Sequence, residues 1–159
     1  MKPYEAAALI ALAVLLVLVW HFIAAKGEKR RLTIVNSQGK PVAVDAEIAR
    51  DGATMAKGLM GRGFLGKDEG MLFVFSKSGR HSFWMLNTTI SLDAIHFSEN
   101  GTVVDIITME PCGWNVTKCR SYYPAAPSRY VLEVNSGFAA LNRIAVNQST
   151  LDLAALSEQ

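Results

Sequence analysis

The sequence predicts a mainly β, α+β domain: a compact barrel- or sandwich-like sheet with one or two short helices, preceded by a single transmembrane helix. Three observations predict it. Short runs rich in β-branched and aromatic residues recur from residue 32 onward, separated by turn-forming residues. Helical signals are brief, so strands dominate the layer that must bury a core. Ahead of them lies an uninterrupted apolar run of 20 residues, Ala6 to Ala25.

That run, AAALIALAVLLVLVWHFIAA, has the length of a helix that crosses the hydrocarbon core of a bilayer, about 30 Å. A helix is required there because lipid offers the backbone no hydrogen-bond partner. Trp20 and His21 stand near its end, where amphipathic rings favour the interface. A cleaved leader is the competing reading. It needs a shorter apolar core and a small-x-small cleavage site, and Ile23-Ala24-Ala25 is a poor one. Residues 1–25 are thus expected to anchor the chain, residues 26–31 to form a basic juxtamembrane spacer, and residues 32–159 to fold.

The folded part begins with Leu32-Thr33-Ile34-Val35, a strand. Ser37-Gln38-Gly39-Lys40 is a turn, and Val42, Val44, Ala46 and Ile48 then alternate as on a half-buried strand. Thr54 to Met60 reads as a short helix capped by Thr54 or Asp51 and ended by Gly61 and Gly63. Met71 to Phe75 is continuously apolar, as in a strand covered on both faces. Ser82 to Leu86 and Ile90 to Phe97 are further strands. Asn100-Gly101 predicts a tight hairpin with positive φ at both central residues, and Thr102 to Met109 is the returning strand. A loop from Pro111 to Pro127 holds both cysteines, Trp114, Tyr122 and Tyr123. Arg129 to Val134 is a strand, Phe138 to Arg143 a short helix, and Leu151 to Leu153 a closing strand. The expected core is Phe73, Phe75, Trp84, Ile95, Val103, Ile106, Tyr130 and Leu132.

Charge excludes one function class. From Leu32 onward there are 11 basic and 12 acidic residues, a balance of −1. Such a body has no excess cation to meet a phosphate backbone, so nucleic acid is not an expected partner. A chain that is 50% hydrophobic and 19% charged is not a disordered tail. Orientation meets two opposed signals. Lys26, Lys29, Arg30 and Arg31 after the apolar run favour a cytoplasmic body. Cys112 and Cys119 favour the reverse if they form a disulfide, which persists outside the cytoplasm. The spacing alone also allows two free thiols. These two signals leave the orientation open.

Enzyme motifs are missing. There is no Gly-x-Ser-x-Gly, no phosphate-binding Gly-rich loop before a Lys, and no His-Glu-x-x-His. His81 and His96 have no oriented partner in the sequence, and Cys112 lies outside any Cys-x-x-Cys motif. No catalytic residue, metal site or cofactor is expected. The richest segment is Ser82 to Thr89, where two aromatics, a thioether and short polar side chains share a strand end, a mixture able to line a pocket. The same residues also serve as plain core and turn. Arg62, Asp93 and Glu133 stand beside apolar positions and can turn inward only if paired. An Arg62–carboxylate ion pair is the bland alternative. Four Asn-x-Ser/Thr matches begin at Asn87, Asn100, Asn115 and Asn147 and matter only for an exported chain.

Taken in order, Gly58-Leu59-Met60-Gly61-Arg62, Gly70-Met71-Leu72-Phe73-Val74-Phe75, Phe83-Trp84-Met85-Leu86-Asn87-Thr88, Leu92-Asp93, Met109-Glu110-Pro111-Cys112 and Arg129-Tyr130-Val131-Leu132-Glu133 resemble the DUF192 (UPF0127) family over about residues 32–153. Leu86 departs from it, standing where the family commonly has Lys and removing a cation from the pocket mouth. The resemblance implies a compact β-rich domain, often behind a signal peptide or anchor, and no established activity; that frequency of export implies an extracytoplasmic or periplasmic body here. Its motif positions here are Arg62, Trp84, Asn87, Asp93 and Glu133, the candidate ligand-binding residues. Together these features predict a non-enzymatic, membrane-anchored domain acting as an accessory subunit of a larger membrane complex. Its partners would be the bilayer, through residues 6–25, and other membrane subunits. The alternatives are an extracytoplasmic small-ligand-binding protein using Trp84–Asn87 and, third, a hydrolase or redox enzyme.

Overall fold

The computed structural model describes residues 28–157, together with Leu12, Val14 and Leu15 upstream. Apart from those three, the segment expected to form the anchor lies outside the described residues. No helix among the described residues is long and apolar enough to cross a membrane.

The chain runs β1 (Lys29–Val35), β2 (Pro41–Ala49), α1 (Gly52–Lys57), β3 (Glu69–Gly79), β4 (Phe83–Trp84), β5 (Leu92–Phe97), β6 (Val103–Met109), a 3₁₀ turn (Val116–Lys118), β7 (Ser121–Tyr122), β8 (Ser128–Asn135), α2 (Phe138–Leu141), β9 (Thr150–Leu151) and α3 (Ala154–Ser157). Seven strands form one sheet in the order β6-β5-β8-β3-β2-β1-β9, and β4 pairs with β7 in a separate ribbon. Every pairing is antiparallel except β2 with β3, whose connection crosses over through α1. The sheet curls until its outer strands meet. Thr150 bridges Thr102, the Leu151 N–H donates to the Gly101 carbonyl at 2.8 Å, and the Val103 N–H donates to the Ser149 carbonyl at 2.9 Å.

Side-chain alternation divides the buried residues between the two faces. Leu32, Ile34, Val44, Leu72, Ile95, Phe97, Leu132 and Leu151 pack inside the curl, with Phe138 of α2 beside them. Met71, Phe73, Met85, Leu92, Ala94, Met109 and Val131 pack on the other face with Leu59 and Tyr122. The continuous run Met71–Phe75 is apolar because β3 is central and needs both faces covered, as the sequence predicts.

Most expected strands are present, with instructive differences. The strand expected over Ser82–Leu86 contracts to two residues. A turn closed by the Thr88 N–H on the Met85 carbonyl at 3.0 Å, with Asn87 left-handed at φ 51°, breaks it. Trp84, expected in the core, is 46% exposed, because its register partner Ser121 also faces out while Phe83 and Tyr122 face in. Phe75, Ile106 and Tyr130 are only partly buried, whereas Phe73, Ile95, Val103 and Leu132 are fully enclosed. In the β5–β6 hairpin only Gly101 has positive φ (83°). The Gly101 N–H bonds the Ser98 carbonyl and the Ser98 N–H bonds that of Thr102, a longer loop than the two-residue turn expected. The bases read as spacer residues belong to the sheet. Lys29, Arg30 and Arg31 are in β1, where Lys29 reaches Glu47 and Glu69 and Arg31 reaches Asp45.

Candidate functional site: a carboxyl beneath Trp84

Glu133 is on β8, directly opposite Met71 of β3 and Ala94 of β5. Odd-numbered residues of this strand face the layer formed by α1 and the β4–β7 ribbon, so Glu133 points into an apolar interior. It is 4% exposed. It makes no hydrogen bond or ion pair with any described residue, and burial alone pushes its pKa from 4.5 up to about 8. At neutral pH the carboxyl is therefore protonated and carries an O–H donor.

The carboxyl borders a hollow of about 40 Å³. Met55 and Leu59 of the α1 segment, Phe73, Phe83, Met85 and Leu92 form apolar walls, and Lys57, Trp84 and Thr88 are also among the lining residues. By the volume a water requires, this space holds roughly three waters, or the polar end of a ligand. Asp51 fixes α1 over it: Oδ1 accepts the Ala53 and Thr54 N–H groups at 3.0 Å each. Those bonds, led by Thr54, hold the Asp51 carboxyl below its ordinary range. Gly58 follows at φ 48°, and an added Cβ there would press on the Phe73 ring at 3.4 Å.

Met85 also borders a second hollow of about 190 Å³ with Glu110, Pro111, Cys112, Lys118, Arg120 and Tyr122. Cys112 and Cys119 are disulfide-bonded, resolving the open question of their state. The bonded loop is tied back by the Asn87 N–H to the Gly113 carbonyl (3.2 Å) and by the Cys112 N–H to the Thr88 carbonyl (3.1 Å).

Of the five expected ligand-binding residues, the structure brings together two, Trp84 and Glu133. Arg62 donates through Nη2 to Glu47 Oε2 at 2.5 Å, the bland alternative raised by the sequence. Asn87 acts through its backbone, its carbonyl accepting the Gly61 N–H at 2.8 Å. Asp93 faces the other side of the sheet. It accepts from Thr108 Oγ1 at 2.9 Å and from the Ala139 N–H at 3.1 Å, fastening α2. Met85 and Thr88 line the hollow, as the sequence reading of Ser82–Thr89 allows, whereas sequence reasoning missed Phe73. Its side chain reads as core, and only the register of β3 against β8 reveals that it shares a face with Glu133.

The histidines stand apart from the hollow's polar group. His96 is fully buried, its Nδ1 lies 3.1 Å from Ser128 Oγ, and Nε2 has no partner. Burial, opposed by Asp105, lowers its pKa to about 4. Ser128 is equally inaccessible, so the pair meets no solvent-borne substrate. His81 stacks on Phe75 with centroids 3.6 Å apart.

DUF192, described as an uncharacterized ACR, matches residues 33–150. The chain belongs to the DUF192 family. Two solved structures share the fold of this DUF192 domain. A candidate transcription regulator from Sinorhizobium meliloti 1021 is 26% identical, with a TM-score of 0.72, covering 80% of this chain and 95% of its own. A protein of unknown function from Novosphingobium aromaticivorans DSM 12444 is 30% identical, with a TM-score of 0.71, covering 80% and 87% respectively. No curated protein matches.

Proposed function

We propose that this DUF192 domain is a non-enzymatic binding module, tethered at the outer face of a membrane, that takes the uncharged polar end of a small ligand beneath Trp84. One observation carries the reading: Glu133 is a buried carboxyl with no partner among the described residues, and it borders a hollow. Buried polar groups are ordinarily bonded, and the exceptions call for a partner supplied from outside. A protonated carboxyl in apolar walls favours a neutral hydrogen-bond acceptor, such as an amide or ether oxygen, over an anion. The disulfide supports an oxidising compartment. The apolar segment 6–25 supports the tether.

A screen of small amides and alcohols by amide NMR tests the site. Binders should shift the amides of Met85, Thr88 and Glu133, and Glu133→Leu should abolish those shifts. A broad screen that moves none of them overturns the reading. Thiol labelling of intact cells, with and without reductant, tests the compartment: thiols free without reductant and shielded by the membrane place the domain in the cytoplasm.

A second reading, an accessory subunit of a membrane assembly, is favoured by the large aromatics left exposed near the disulfide. Purification in mild detergent tests it, since a lone monomer would remove it. The regulator designation of the Sinorhizobium protein is not carried over, because this body lacks the cationic excess that DNA requires.

A further inference from the structure

The disulfide loop and the β4–β7 ribbon form one continuous outer layer, and its composition is unusual. Trp114 is 74% exposed, Tyr123 70%, and Val116 and Trp84 are also open to solvent. Side chains of this size are normally withdrawn, and an exposed group of them marks a contact surface. The layer is rigidly presented. The Cys112–Cys119 bond closes the loop, Asn115 Oδ1 accepts the Thr117 N–H at 3.1 Å, and the Thr88–Cys112 bridge fixes its base to the turn that follows Trp84. Its charge is one-sided. Between Glu110 and Glu133 there is no acidic residue, while Lys118, Arg120 and Arg129 are present. Of the acids flanking it, Glu99 pairs with Arg129, while Glu110 and Asp105 accept from Ser91 Oγ and the Ala125 N–H and keep their charge. Lys118 and Arg120 are the layer's own cations and outnumber Glu110, which lines the same hollow, and Arg120 lies over the Tyr122 ring.

We infer that this layer docks on an anionic lipid surface, with Trp114 and Tyr123 in the headgroup region and Lys118 and Arg120 against lipid phosphates. Trp and Tyr favour that region because one end of the ring system is apolar and the other polar. Basic side chains add electrostatic attraction to anionic headgroups. The chain itself supplies the proximity: the 20-residue apolar segment Ala6–Ala25 ends three residues before Lys29, where the sheet begins. Two observations thus select lipid over other occupants, the paired aromatic and basic character and an apolar segment joined closely to the sheet.

The test uses the full chain with Trp20→Phe and Trp84→Phe, leaving Trp114 as the single fluorophore. The chain is reconstituted in phosphatidylcholine vesicles with and without phosphatidylglycerol, each prepared with brominated acyl chains. In the phosphatidylglycerol vesicles Trp114 emission should shift to the blue and be quenched. Lys118→Ser with Arg120→Ser should lower the docked-to-undocked ratio roughly thirtyfold. Tyr123→Ser gives a second variant, and an unchanged thermal transition shows that each variant folds. Unquenched emission in both vesicle types overturns the inference. Shielding of Trp114 from acrylamide in native membranes, without quenching by brominated lipid, also overturns it and assigns the layer to a protein partner.

Discussion

Glu133→Gln isolates one proton. Gln keeps the size of the side chain and cannot ionise. In the folded wild type the carboxyl holds its proton to about pH 8, whereas in the unfolded chain it releases it near 4.5. Between those values the native state binds more protons than the unfolded state, so wild-type stability falls as pH rises. The sign follows the rule for a raised pKa: the contribution is intact below 4.5 and is lost as pH climbs through about 8. Each pH unit is worth about 1.4 kcal/mol, so the loss is roughly 3 kcal/mol at pH 7 and roughly 5 kcal/mol above pH 8. That is a large part of the roughly 5–15 kcal/mol typical of a domain. The assay is urea unfolding of the full-length chain and its variant in mild detergent across this pH range. Other titrating groups cancel in the difference between the two proteins. The variant should gain on the wild type steadily from mildly acidic pH to about pH 8 and then hold level. A difference that stays flat through this interval would refute the reasoning, because Glu133 would then ionise at its ordinary pH or be charged and paired.

Three further outcomes follow from the geometry. His96, lowered to about 4, should contribute stability that is complete above 6.5 and lost as pH falls through 4, up to roughly 3 kcal/mol; His96→Gln should flatten the acid limb of a Tm-versus-pH curve. Replacing Cys112 and Cys119 together with Ala should leave the fold intact while lowering unfolding free energy by about 2.5 kcal/mol, measured by denaturant titration. Gly70→Ala should destabilise by about 2–3 kcal/mol in the same titration, since its Cβ would lie 2.6 Å from the Glu133 carbonyl oxygen with no flexible group to yield.

Much of the sheet was legible because alternation and apolar runs are local signals. Val42, Val44, Ala46 and Ile48 announce β2, and Met71–Phe75 announces a strand covered on both sides. The site was less legible. Glu133 and Trp84 were singled out as family-motif positions, yet nothing local says that β8 lies between β3 and β5, the arrangement that deprives Glu133 of water. Asp93 drew the same attention and turned out to bind the Thr108 hydroxyl and the Ala139 N–H on the opposite face. Its parity on β5 carries that difference, and parity has meaning only once register is known. Trp84 misled for another reason. Its hydrophobicity predicts burial, but a two-residue ribbon has one inward and one outward side, and Phe83 took the inward one.

β9 both pairs with β1, Ile34 opposite Leu151, and bridges to Thr102, so the outer flank of the first strand depends on the last strand of the sheet in chain order. β9 is synthesised after the other six strands of the sheet, so nascent chains wait with the flank of β1 unpaired. A polypeptide cut short of Thr150 would keep that flank bare indefinitely, an open template for strand-to-strand sticking with its neighbours.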